Sequence, residues 1–83
     1  MEYLATVTKV CVSGRYGPYA IAVSRDLVGS VTFSLKRPVW KTKKLPNPGD
    51  VVLLSDVRWR AKRGWRAMAG RFCRPERIEQ REA

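Results

Sequence analysis

Tryptophan and arginine are interleaved along one short stretch of this chain, and that pattern is its clearest chemical signal. Residues 57–66 read Val-Arg-Trp-Arg-Ala-Lys-Arg-Gly-Trp-Arg. A guanidinium binds phosphate oxygens, whereas an indole ring stacks on flat groups and attracts cations to its π face. The combination is typical of surfaces that hold unpaired bases on aromatic rings while cations neutralise the phosphates.

The distribution of charge predicts the same kind of partner. The 83 residues include 17 Lys and Arg against 7 Asp and Glu, a formal net charge of +10. No acidic residue falls within 27–49 or 57–75, and these two stretches hold most of the basic residues. Segregated positive charge indicates a polyanionic partner. A membrane surface is disfavoured as the partner because no amphipathic helix carries the charge.

The composition argues against catalysis. The chain has no histidine, so imidazole proton transfer, Ser-His nucleophiles and imidazole metal sites are excluded. Cys11 and Cys73 are too few for a four-ligand zinc site, and we expect them to be free thiols of a cytoplasmic protein. Asp50 and Asp56 lie roughly 20 Å apart along one predicted strand, too far to act on one bond. We therefore predict no enzymatic activity, no catalytic residue, no metal and no cofactor.

Five short strands are predicted to position these side chains. Alternating apolar residues and β-branched residues place the strands at 3–12, 19–23, 29–35, 51–57 and 65–72. Prolines exclude a long helix from 36–48, and Gly64 is expected to have a positive φ at the tip of a hairpin. The pattern predicts an all-β fold, a small five-stranded barrel of either the OB type or the SH3-like type.

The length of the chain allows one domain. We expect the barrel to occupy residues 1–75, because Pro75 cannot donate to a strand ladder. The remaining residues, 76–83, have mixed charge and are expected to form a short polar tail, at most a frayed helix.

The order of these segments resembles a cold-shock domain, a helix-poor subclass of the OB-folds. Residues 14–21 (Gly-Arg-Tyr-Gly-Pro-Tyr-Ala-Ile) resemble the first RNP motif of that family, Lys-Gly-Phe-Gly-Phe-Ile. Residues 30–34 (Ser-Val-Thr-Phe-Ser) are similar to the second motif, Val-Phe-Val-His-Phe, and 48–52 to the start of the fourth strand. The resemblance implies an OB-type barrel that stacks bases on aromatic residues of the two motifs, which here would be Tyr16, Tyr19 and Phe33.

The aromatic residues divide between core and surface on the sequence pattern. Phe33 alternates with other apolar residues, which favours the core, whereas the resemblance favours the surface, so both remain open. Trp65 is expected to be a core residue. Trp40 lies in a basic, proline-interrupted loop and Trp59 between two arginines, and we expect both on the surface.

These observations predict low-specificity binding of single-stranded nucleic acid, with RNA and DNA equally compatible. The candidate binding residues are all basic or aromatic: Lys9, Arg15, Tyr16, Tyr19, Phe33, Trp40, Lys41, Lys43, Lys44, Arg58, Trp59, Arg60, Lys62, Arg63 and Arg66. One alternative is a small adaptor or regulator that docks on a protein or ribonucleoprotein such as a polymerase or ribosome, with exposed tryptophans as hot spots. Another is duplex DNA binding by the hairpin at 58–66.

Overall fold

A computed structural model describes residues 1–15 and 17–73 of the chain. It contains five strands: β1 (Glu2–Cys11), β2 (Tyr19–Val23), β3 (Ser30–Ser34), β4 (Val51–Arg60) and β5 (Gly64–Phe72). They close into a barrel in the order β1-β2-β3-β5-β4, in which β3 and β5 are parallel and the other pairs antiparallel. The prediction of an all-β, five-stranded small barrel is therefore confirmed. The described residues contain no helix that could cross a membrane.

The strand bounds follow the predicted pattern closely. β2 has the predicted bounds, whereas β4 runs on to Arg60 because it pairs with the start of β5 at Gly64. Gly64 has the expected positive φ, +82°, and the hairpin closes through the Arg63 N–H, which donates to the Arg60 carbonyl at 3.0 Å. The predictions that concern Tyr16, Pro75 and the tail at 76–83 lie outside the described residues.

The core is filled by alternate residues of the strands. In β2, Ala20 and Ala22 are fully buried, so Tyr19 and Ile21 must face outward. In β3, Phe33 is 1% exposed. It is therefore a core residue, as its alternation with Val31 and Leu35 indicated, and not a surface residue, as the resemblance to the cold-shock motif implied. The barrel encloses the Phe33 ring, so the flat face of the ring is not available for stacking on a base.

Trp40 is also a core residue, at 1% exposure, and the expectation that it lies on the surface is wrong. Its ring packs against Phe33 with centroids 5.7 Å apart and meets Phe72 edge-on at 5.0 Å. The indole Nε1 donates to the Lys44 carbonyl at 2.9 Å, so the one polar atom of the ring is satisfied. Gly70 makes room for the ring, since a Cβ there would stand 3.3 Å from Trp40 Cε3. The long β3–β4 loop thus closes one end of the barrel with its own tryptophan.

A change of alternation in β4 orients the hairpin that projects from the other end. Leu54 is buried and Val57 packs against the core, although the two are three residues apart. In a regular strand, residues three apart point to opposite faces. Asp56, between them, has a left-handed backbone with φ +52°. Beyond this point Trp59 continues the face of Val57, and Arg58 takes the opposite face. The hairpin therefore has one aromatic face and one basic face.

Candidate nucleic-acid interface

A groove of about 540 Å³ lies on the outer face of β2, β3 and β5. In the strand pairing, Tyr19 stands opposite Ser34, and Thr32 stands opposite Arg66. The groove is lined by Pro18, Tyr19, Thr32, Phe33, Ser34, Arg63 and Arg66. It combines an aromatic ring, two hydroxyls and two guanidiniums on one open surface.

The strand pattern explains why these side chains meet. Because Val31 and Phe33 fill the core, Thr32 and Ser34 must face outward between them. The parallel pairing of β3 with β5 then brings Arg66 beside Thr32 from a distant part of the sequence. The Thr32 hydroxyl donates to the Trp65 carbonyl at 3.4 Å, a contact that spans the same two strands. Sequence reasoning missed Thr32 and Ser34 as site residues, although their alternation with core residues was a usable signal.

The basic side chains of this region differ in how far they are already neutralised. Arg58 makes a two-pronged contact with Asp56, at 3.1 Å from Nε and 3.0 Å from Nη2. This ion pair raises the pKa of Arg58 and lowers the pKa of Asp56, chiefly through the shared hydrogen bonds. Within the described part of the chain, Arg63 and Arg66 make no ion pair. The groove arginines are thus better placed than Arg58 to bind an external anion.

Tyr19 provides the aromatic surface of the groove. It pairs across the strands with Cys11, whose side chain raises the pKa of the Tyr19 phenol, mainly through a hydrogen bond. A tyrosine phenol is uncharged at neutral pH, so the ring does not repel an anionic ligand. The ring is half-buried, so one part packs on the sheet and the rest is open to a stacking partner.

One end of the groove is bounded by the β1–β2 loop and the first residue after β3. The Leu35 N–H donates to the Pro18 carbonyl at 3.0 Å, which holds that loop against the sheet. The Lys36 side chain lies beside Gly17, where a Cβ would collide with it. Lys36 was not among the predicted site residues, although it lies in an acid-free stretch. Its exposed ammonium adds positive charge near this end of the groove.

The structure does not bring all of the predicted residues to the groove. The Lys41 N–H donates to the Gly70 carbonyl at 3.2 Å, and Gly70 is about 13 Å beyond Arg66 along β5. Lys43 and Lys44 follow in the same loop, so these lysines form a separate basic region. The remaining basic candidates are exposed but do not line the groove: Lys9 on β1, Arg15 in the β1–β2 loop, and Arg60 and Lys62 on the hairpin.

The aromatic face of the hairpin lies outside the groove. Trp59 is 61% exposed, as predicted, and its ring meets Trp65 edge-on with centroids 5.0 Å apart. Trp65 is partly buried and packs against the core, which agrees with its predicted core position. Its Nε1 donates to the Val28 carbonyl at 3.0 Å and so ties the hairpin to the β2–β3 loop.

A second groove, of about 630 Å³, lies on the far side of the barrel over β1. Three exposed apolar side chains line it, Leu4, Val23 and Val51. Its charged residues, Arg25 and Asp26, have opposite signs. The two sides of the barrel therefore differ in chemistry, one basic and the other apolar with mixed charge.

Comparison of the chain with known protein families, with curated proteins and with solved structures finds no match. A function for this chain is therefore inferred from the barrel and the chemistry of its surface.

Proposed function

We propose that this protein binds single-stranded nucleic acid, RNA or DNA, with low sequence specificity in the groove over β2, β3 and β5. The observation that carries the proposal is the lining of that groove, where Tyr19 stands beside Arg63 and Arg66 and no acidic residue is present. OB-type barrels bind oligonucleotides on the β2–β3 face and between the β1–β2 and β4–β5 loops. The groove occupies the same position in a barrel whose strand order is compatible with the OB type, including its cold-shock subclass.

A single strand suits this lining better than a duplex. A tyrosine ring stacks on the flat face of a base, which only an unpaired strand exposes, whereas hydroxyls such as those of Thr32 and Ser34 bond the edges of bases. The guanidiniums of Arg63 and Arg66 bind phosphates of either form. Phosphate and stacking contacts carry little base information, so the proposed binding has low specificity. The proposed role is binding in the cytoplasm, without catalysis.

The second groove supports a different candidate function, docking on a protein or ribonucleoprotein such as a polymerase or ribosome. Leu4, Val23 and Val51 form an apolar surface that nucleic acid does not need. Exposed apolar patches mark protein contacts in many small domains. The two functions are compatible, because the grooves lie on different faces of the barrel.

A salt titration tests the nucleic-acid proposal. Because no tryptophan lines the groove, fluorescence anisotropy of dye-labelled oligothymidylate and oligouridylate reports binding, with a labelled duplex of equal length as the control ligand. If about four to six phosphates are neutralised, log K falls against log salt with a slope of roughly −3 to −4. Tighter binding of the single strands than of the duplex supports the proposal. A slope near zero, or no binding at low salt, contradicts it.

A further inference from the structure

The β4–β5 hairpin has an aromatic face that the groove does not use. Trp59 and Trp65 are paired across the two strands, as are Arg58 and Arg66, and alternation places the two pairs on opposite faces. The hairpin contributes to the groove through Arg66 of its basic face and Arg63 of its tip, and the aromatic face contributes nothing.

Trp59 is exposed, but its ring rests against a neighbour that is fixed in place. Its neighbour Trp65 is fixed by packing against the core and by its hydrogen bond to the Val28 carbonyl. The rings of Trp59 and Trp65 are inclined by 66° rather than stacked, which leaves flat surface of the exposed Trp59 ring open to a third ring. A ring presented in this way loses little conformational entropy when a ligand stacks on it. We call this surface the Trp59 platform.

We propose that the Trp59 platform stacks an unpaired base of the same strand that occupies the groove, and that the strand crosses the hairpin tip at Lys62 and Arg63. The inference rests on the proposed function. Arg63 lines the groove and belongs to the tip, and Lys62 beside it is exposed, so cations extend from the groove to the tip of the hairpin. Apart from Asp56, which is occupied by Arg58, the described part of the hairpin is free of acidic residues.

The charge around the platform decides between ligand classes. A protein partner offers both signs of charge, whereas a nucleic-acid backbone offers only negative charge to the cations of the tip. Base stacking on an aromatic ring also requires an unpaired base, which a duplex does not supply. The preferred ligand is therefore a single strand longer than the groove alone can hold.

Binding of oligothymidylates of about 4 and about 10 nucleotides tests the platform, since OB barrels cover about 4–16 nucleotides. The test variant is Trp59→Ala. The matched control is Val28→Ala, because Val28 lies in the β2–β3 loop that Trp65 contacts and its side chain is 91% exposed. We expect Trp59→Ala to weaken binding of the longer oligonucleotide about tenfold, with an unchanged salt slope and unchanged binding of the shorter one. Val28→Ala is expected to leave the binding of both oligonucleotides unchanged.

Abasic substitution provides a second readout. In the longer oligonucleotide, removal of one particular base is expected to weaken binding to the wild-type protein but not to Trp59→Ala. Equal affinity of wild type and Trp59→Ala for the longer oligonucleotide overturns the platform and leaves the groove proposal standing. If the wild type binds no oligonucleotide, the proposed function itself fails.

If Trp59→Ala does not fold, the wild-type abasic series decides, with tryptophan quenching as the signal. Quenching that depends on one base supports the platform, and quenching independent of every base contradicts it.

Discussion

Replacing Arg63 and Arg66 together by alanine removes both guanidiniums that line the groove. Both side chains lie on the outside of the barrel, and neither makes an ion pair within the described residues. Exposed substitutions of this kind change the free energy of unfolding by about 0.5 kcal/mol or less each. The double variant is therefore expected to remain folded, so its binding can be compared directly with that of the wild type.

The size of the effect follows from the number of phosphate contacts removed. Each phosphate neutralised on a single strand contributes about 0.7 to the slope of log K against log salt. Loss of the two groove guanidiniums is therefore expected to flatten the slope by about 1.4. The accompanying loss of affinity is on the order of 1–3 kcal/mol at low salt.

A second double variant, Arg25→Ala with Arg71→Ala, serves as the matched control. It lowers the net charge by the same amount, but Arg25 lines the opposite groove and Arg71 is paired with Glu2 at 3.2 Å. Fluorescence titrations at several salt concentrations should show a smaller loss of affinity and a smaller change of slope for this control. Equal effects of the two double variants would refute local binding in the groove and indicate attraction to the overall charge.

Trp40→Ala should lower the free energy of unfolding by about 3–5 kcal/mol, because it empties a buried indole site, and a shift of less than about 1 kcal/mol in urea denaturation would contradict that core role. Asp56 has a lowered pKa beside Arg58, so its stabilising contribution is complete above the ordinary aspartate pKa and fades as pH falls through the lower folded value. A carboxyl titration followed by NMR should give that lower pKa, and Arg58→Ala should return it to the ordinary range; an unchanged value would contradict the ion pair. Cys11 and Cys73 are free thiols, so thiol counting should give two in native and denatured protein, and a disulfide would argue against a cytoplasmic protein.

The barrel strands were predictable because local patterns determine them. β2 alternates alanine with larger residues, so the sequence predicted its two faces, and the structure then shows that the alanine face is the buried one. Gly64 could be placed at a hairpin tip because a positive φ suits glycine, and it has that φ. The exact end of β4 at Arg60 was less predictable, since it depends on pairing with β5 rather than on the residues of β4 themselves.

The groove and the position of Trp40 depend on contacts between distant segments. Arg66 reaches Thr32 only because β3 and β5 run parallel, and no local pattern specifies that pairing. Trp40 lies in a loop without alternation, and its burial requires the space left by Gly70 and the carbonyl of Lys44. The charges and prolines of the β3–β4 loop therefore indicated correctly that the loop lies outside the barrel wall, but they gave the wrong position for Trp40.

The central claim, that a single strand binds over β2, β3 and β5, is tested most directly by backbone NMR of the labelled protein titrated with oligothymidylate. The amide signals of Tyr19, Thr32 and Arg66 are expected to shift together and to saturate with one affinity. Signals of Leu4 and Val51, over the far groove, are expected to stay in place and serve as the internal control. Shifts concentrated on the far groove, or spread evenly over all charged surfaces, would contradict the proposed interface.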